Sequence, residues 1–420
     1  YLMNKQKIYE ILKQLNFYEL SIALFPLIII SRSFSINLYL AICLCIIFLN
    51  YNKIKSKIKK QNWIFLYFLF LTFIVLNSIF AEDQKSSLIS SIFQIKFLTF
   101  SLFILVYVEN FKSLKKILFI QSILLFLVSL DIIYQFLNDG INIFGFDNKI
   151  INSNRFSGIF GDESIVASFI LNLSLPIIAY FLSIFNFSKP IYRTYIIIFI
   201  SSIFLAMILS GERMNLLIFL TLLMLLNLFL FNIKLSLFLN IGVILITIIS
   251  YFNIPNFQNR VNNFYDQINR YENNDHIRLF SSALSIWSEN KFTGVGNKNF
   301  RVVCNEDDQD FFIDKKRLCS THPHNLYFEL LSETGLIGLF LFFIFIFYFF
   351  YYVYKRRLNI KTFQKPIFVS SILLLLAYLF PLRSSGSIFS TFYGIFFWYN
   401  LGIVLLFIKF NFKIGNKKEF

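Results

Sequence analysis

Charge is scarce in this chain. Of its 420 residues 15% are Asp, Glu, Lys or Arg, against 57% hydrophobic, a balance that excludes an ordinary water-soluble domain and fits a membrane protein. Histidine is scarcer still, with three residues: His276, His322 and His324. No HExxH and no Cys/His/Asp group with metal-ligand spacing occurs, so no metal site and no cofactor is expected. No Walker loop, no GxGxxG after a strand and no GxSxG is present, which leaves nothing for nucleotide hydrolysis or a serine nucleophile. The segment GVGNKNF at 294–300 has too few glycines for such a loop and reads as a turn. No Gly/Ser linker and no internal repeat is visible. No small-residue cleavage site follows the first apolar stretch, which reads as a helix rather than a removable signal.

Apolar sequence of membrane length is what the chain does have. A helix needs roughly 20 apolar residues to cross the hydrocarbon core. That ruler finds candidate spans at 18–32, 34–50, 62–80, 89–108, 117–137, 164–185, 195–211, 215–231, 235–252, 334–354, 366–382 and 390–408. The first two are the weakest, because SRSFS between them leaves little room for a turn. The expected fold is therefore all-α: a polytopic integral membrane protein of about 12 transmembrane helices.

The net charge of +16 would suit nucleic acid, but its placement argues for membrane orientation instead. Lys5, Lys7, Lys13, the lysines of 53–60, Lys112, Lys115, Lys116, Lys189, Arg193, Lys234, the basic run 355–365 and Lys409 to Lys418 all fall on one side. The short loops of the other side carry Arg32, Lys85, Lys149, Arg155, Arg213 and Arg383. By the positive-inside rule both termini face the cytoplasm. Residues 1–252 then hold nine spans, 253–333 form the one large outside loop, and 334–420 hold the last three. Within the loop, DHIRLFSSALSIWSENK has helical spacing, with Ile277, Phe280, Leu284 and Trp287 on one face. Cys304 and Cys319 share the loop 15 positions apart. In an oxidising compartment they could form a disulfide contributing about 3 kcal/mol, or remain two free thiols.

The outside face collects the candidate chemistry. Arg155, Arg213, Arg278 and Arg383 are cations near a membrane surface, where each is costly unless partnered. Each has a structural alternative. Arg213 could pair with Glu212, Arg278 could pair with Asp275, and Arg383 reads as a cap at the membrane boundary. Several Arg on one face suit an anionic partner such as phosphate. Histidine is the usual general base at physiological pH, and His322 and His324 stand on either side of Pro323 on this face. Gly335 and Gly338, three apart at the start of a span, suit close helix packing.

The stretch His324, Asn325, nine residues, Gly335, two residues, Gly338 resembles the signature of the bacterial O-antigen ligase and polymerase superfamily. SGERMN resembles that family's Arg-bearing hairpin. RFSGIFGDES resembles its R-x-S-G segment, with Glu163 standing where the family commonly has Asn. IRLFSSALSIWSENKFTGVGNKNF resembles its R…W…G-x-G…F segment. The likeness covers about the last two thirds of the chain. It implies a metal-independent, inverting glycosyltransferase of the inner membrane with its active site facing the periplasm. The donor would be a glycan on undecaprenyl diphosphate and the acceptor lipid A–core. His324 would act as base and Arg213 and Arg278 would hold the diphosphate, with Arg155, His322, Asn325, Gly335 and Gly338 around the substrates. An O-antigen polymerase uses the same motif, and protein O-glycosylation is a third variant. A polysaccharide flippase is the alternative from another class. It would place its polar groups near the bilayer midplane, where the spans here offer chiefly Lys96 and Asp131.

Overall fold

The computed structural model describes residues 14–52, 55, 61–145, 149–150, 155–161, 163–184, 190–269, 274–305, 308, 316–357, 360–384 and 386–415. Lys5, Lys7, Lys13, Lys189, Lys417, Lys418 and most of the basic run 53–60, on which the orientation rests, lie outside the described residues, as do both termini.

The protein is a helical membrane bundle with almost no strand. Among the described residues, nine helices are long and apolar enough to cross a membrane. In chain order the elements are α1 (Phe17–Ala23), α2 (Phe25–Ile30), α3 (Arg32–Leu49), α4 (Asn62–Asn77), α5 (Gln84–Ile92), α6 (Ile95–Tyr107) and α7 (Phe111–Leu137). A two-residue ladder follows, β1 (Lys149–Ile150) with β2 (Arg155–Phe156). Then come α8 (Val166–Ile184), α9 (Pro190–Leu209), α10 (Arg213–Leu230), α11 (Ile233–Asn253), α12 (Pro255–Asn269), α13 (Asp275–Glu289) and α14 (Phe300–Val303). The chain closes with α15 (Leu326–Arg356), α16 (Lys365–Tyr378) and α17 (Thr391–Gly415).

Every expected span corresponds to helix, with three differences in form. Segment 366–382 makes an apolar helix shorter than a full span, and segment 89–108 is divided between α5 and α6 at Phe93 and Gln94. Segment 18–32 is two short helices meeting at Leu24, where Pro26 begins the second and could not continue the first. The tight turn between the first two segments is made at Ser31 and Arg32, with Arg32 in the left-handed region at φ 71°.

Burial grades the helices. The span from Thr391 to Phe410 is 83% buried and forms the centre, packed against α6 and α16, whereas Ile233–Asn253 is 6% buried and turns nearly its whole surface outward. An outer helix in lipid satisfies its own backbone and needs no protein cover.

Residues 253–333 fold as amphipathic helices rather than an open loop. Cys304 and Cys319 are joined in a disulfide, Cα–Cα 5.7 Å. It closes beside a small core of Leu279, Ala283, Ile286 and Phe300. The expected helix is α13, and its sides differ in burial. Leu279, Ser282, Ala283 and Ile286 are the buried side, while Ile277, Phe280, Leu284 and Trp287 are half-exposed. Small residues let α13 approach closely. Ser282 Oγ accepts the Leu318 N–H at 3.0 Å, and Phe280 stacks on Phe328 with centroids 4.6 Å apart.

Candidate anion-binding face

The histidine helix is fixed at its first residue. Asn325 is the N-cap of α15: its Oδ1 accepts the N–H of Tyr327 at 2.9 Å, and its Nδ2 donates to the carbonyls of Pro381 and Arg383 at 2.6 and 3.3 Å. One buried amide therefore ties the helix start to the α16–α17 connection. His324 precedes it in the left-handed region, φ 58°, an uncommon conformation for a residue with a side chain. The cap holds it there.

Nine residues on, α15 breaks. Gly335 has φ 62° and ψ −168°, and the segment 290–296 fills the break. Leu336 and Ile337 donate to the carbonyls of Lys291 and Phe292 at 2.9 and 3.1 Å, while Val295 and Gly296 donate to those of Ser332 and Glu333 at 2.9 Å. A Cβ on Gly335 would collide with Phe292 backbone, and one on Gly294 would meet the Glu333 carbonyl carbon at 2.5 Å. At Gly338 a Cβ would strike Thr334 and lie 3.1 Å from Phe73 of α4. The close packing expected of Gly335 and Gly338 is thus backbone to loop at the first and helix to helix at the second. The GVG turn is the partner of that break. Glu333 closes the joint, its carboxylate accepting the N–H groups of Lys298 and Phe300 at 2.8 and 3.4 Å.

The three histidines, spread over 49 positions, meet in space. The His322 and His324 rings are 4.1 Å apart, and those of His276 and His324 are 5.9 Å apart. Thr321 Oγ1 lies 3.0 Å from His322 Nδ1, and Ser384 Oγ lies 3.4 Å from His276 Nδ1. Burial, with Arg213 nearby and Asp275 opposing, lowers the His276 pKa. Its neutral form is therefore favoured at physiological pH.

Beside them stand three arginines. Arg213 opens α10 just after the turn at Gly211 (φ 69°). A cation in the first helical turn opposes the helix dipole, so helix stability does not account for its position. Helix α12 lies against this hairpin with Arg260, Phe264 and Gln267, a stripe at i, i+4, i+7. Arg260 Nε donates to the Gly211 carbonyl at 3.3 Å, the Arg213 guanidinium sits 5.3 Å from the Phe264 ring centre, and Arg213 Nη2 donates to Gln267 at 2.9 Å. Arg155 reaches the group from β2, in register with Ile150. The loop behind it is anchored where Gly158 (φ 57°) donates to Gln135 at 2.8 Å. Burial first, then the charges of Arg155 and Arg213, push the Arg260 pKa down to about 10.

Among the described residues no carboxylate neutralises this cluster by direct pairing. Among the described residues the ion pairs are those of Arg317, with Glu289 and Asp308. Glu212 is spent elsewhere: it accepts the Ala167 N–H at 2.8 Å and the Asn215 amide at 2.6 Å. Desolvation raises its carboxyl to about 7, with the Arg155 charge opposing. Arg155 Nε, Arg213 Nη1 and Arg260 Nη2 are buried N–H groups with no acceptor. Each such group costs on the order of 1–3 kcal/mol, and mutual repulsion adds to it. Several guanidinium forks with unused donors form a receptor for a polyvalent anion.

The other candidates are placed as follows. Arg278 makes no ion pair with Asp275. Its Nη2 donates to the Lys316 carbonyl at 3.3 Å, and its buried Nε has no acceptor. Arg383 is no surface cap. It is 2% exposed, 4.5 Å from the Tyr378 ring centre, with Nε and Nη2 unpartnered and its carbonyl held by Asn325. Arg260 and His276 join the cluster without having been singled out in the sequence. The only trace of Arg260 there is the 260/264/267 stripe, and His276 carried no motif.

The described residues thus present a helical membrane bundle with an arginine face suited to an anion beside a histidine group. Residues 196–343 match the family model described as O-antigen ligase. That match, over about a third of the chain, supports a likeness to the O-antigen ligase/polymerase superfamily. The match contains Arg213, Arg260, His276, Arg278, His322, His324, Asn325, Gly335 and Gly338, while Arg155 and Arg383 lie outside it. Members of that family are ligases or polymerases of glycosyltransferase type, and the match supports an enzyme of that general kind. No curated protein matches the chain.

Proposed function

We propose that the chain transfers a glycan from undecaprenyl diphosphate to an acceptor hydroxyl, lipid A–core in the ligase form, at the periplasmic face of the inner membrane. The observation that carries this is the gathering of Arg155, Arg213 and Arg260, with buried N–H groups unpartnered, beside the histidine group of His276 and His324. The diphosphate is already a good leaving group and needs charge neutralisation rather than an acid. Arg213 and Arg278 supply it, with Arg155 and Arg260 extending the same field. The acceptor hydroxyl is a weak nucleophile and needs a base. His324 takes its proton as the oxygen attacks the anomeric carbon. The anomeric C–O bond breaks, its electron pair leaves with undecaprenyl diphosphate, and the configuration inverts. With guanidinium groups doing the electrostatic work, no metal is required. His322 stands in the acceptor groove. Asn325, Gly335 and Gly338 hold the histidine in place.

The test is a transfer assay with purified protein, lipid-linked glycan and EDTA, with and without lipid A–core, comparing wild type with His324→Ala. A single product shift dependent on lipid A–core means ligase, and a ladder formed without it means polymerase. The variant should lose roughly 10²–10⁴-fold in rate. Full activity in His324→Ala would remove it as the base. A flippase would move its lipid undiminished by the substitution.

A further inference from the structure

A second cationic site lies where α3, α5, α6, the GVGNKNF turn and the start of α17 meet, a cleft of about 620 Å³ lined by Asn37, Ala41, Leu44, Phe93, Lys96, Lys298, Arg301 and Thr391, among others. It shares none of the residues assigned above to transfer. Its lining is polar and apolar in turn. Asn37, Ala41 and Leu44 stand at i, i+4, i+7 on α3, so one face of that helix lines the cleft over roughly 10 Å of its length. The polar end is next to the cations. Lys96 Nζ donates to Asn37 Oδ1 at 2.7 Å and to Thr391 Oγ1 at 3.2 Å, and it is within electrostatic reach of Lys298. Toward Leu44 the lining is apolar, and Ile89 and Phe93 on its rim are exposed at 48% and 55%.

The cations are placed against local cost. Lys298 has φ 61°, a conformation unfavourable for lysine, held because Glu333 accepts its backbone N–H. Burial and Arg301 lower its pKa, with Glu333 and Glu329 opposing. Among the described residues Asp83 is the one carboxylate lining the cleft, and it caps α5 through the Ser86 N–H at 3.0 Å. Glu333 is occupied by the N–H groups of Lys298 and Phe300, and Glu329 accepts that of Ile388 at 3.3 Å. Among the described residues, three cations against one lining carboxylate, beside the apolar Ala41, Leu44, Ile89 and Phe93, match a phosphate head with an acyl chain alongside it.

We infer that this cleft binds an anionic phospholipid of the surrounding leaflet, its phosphate at Lys96, Lys298 and Arg301 and an acyl chain along Ala41 and Leu44. The full-length protein in detergent is titrated with didecanoyl phosphatidylglycerol, and bound lipid is read by native mass spectrometry. Didecanoyl phosphatidylcholine and inorganic phosphate serve as the other two ligands. Phosphatidylglycerol should bind best, and the Lys298→Gln/Arg301→Gln variant should lose roughly 25-fold in affinity, about fivefold per cation. Ala41→Trp, which blocks the apolar part of the cleft and leaves every cation in place, should also weaken binding. Arg213→Gln should bind the lipid as wild type does, which separates this site from the transfer reading. Equal binding of phosphatidylcholine, equal binding of free phosphate, an unaffected double variant or loss in Arg213→Gln would each overturn the assignment.

Discussion

Arg317 and Arg213 belong to the same side of the molecule and are built in opposite ways. Arg317 is almost fully buried and satisfied: it pairs with Glu289 and with Asp308 at 2.9 Å, and Nε and Nη2 both donate to Ser285, at 3.2 and 2.8 Å. It staples the disulfide-linked segment to α13. Arg213 has one glutamine, an aromatic ring, two like charges for neighbours and an unpartnered buried nitrogen. A cation whose donors are all used contributes to the fold. One whose donors are left over contributes when an anion arrives. The residue type is identical, and the surrounding carboxylates decide the role.

The contrast is tested most severely at the unsatisfied end. Arg213→Gln and Arg260→Gln should each lower transfer by roughly 10²–10³-fold, the loss typical of a preorganised charge-stabilising donor. Thermal stability should hold or rise slightly as like-charge repulsion falls. A parallel drop in melting temperature and rate would make these arginines structural and erase the distinction. Arg317→Gln should show the reverse. It should cost about 2 kcal/mol of stability in calorimetry, below the fully buried range because Glu289 and Asp308 are half-exposed. Transfer at low temperature should be kept.

The smallest effect belongs to Glu212, the carboxylate that declines to pair with Arg213. Its folded pKa, about 7, is raised above the ordinary carboxylate value. The stability linked to it is therefore fully present below about pH 4.5 and is lost as pH rises through 7. Wild type should lose about 1–2 kcal/mol between pH 5 and 8, a figure discounted for the remaining solvent contact. Glu212→Gln should be flat over that interval. An equal slope in the variant would place the titration in another group.

Much of this was legible in the residues. Runs of Phe, Ile and Leu must become helices in lipid because the backbone has no other way to satisfy itself. His324, Asn325, Gly335 and Gly338 were visible as a pattern. The pattern did not disclose that Asn325 ties down the 381–383 carbonyls, or that Gly335 opens α15 to receive the chain at 290–296. Spacing put Ile277, Phe280, Leu284 and Trp287 on one face of α13 but did not disclose which side is buried. A helix pressed against a disulfide-linked segment buries its smallest residues, Ser282, Ala283 and Ser285, where close approach matters more than apolar area.

By itself, then, the sequence determined the membrane class, the helical spans and the stretch carrying His324, because hydrophobic length and local spacing are properties of neighbours along the chain. The tertiary structure alone decided which cations stand together. It brought Arg155, Arg213 and Arg260 from three separate elements to one face and gave Arg317 the carboxylates that Arg213 lacks. It joined His276 to His324 across 48 positions and set Lys96 beside Lys298 in a different cleft. Charge acts through space over several ångströms, and no local rule along a chain encodes which distant charges folding will make neighbours.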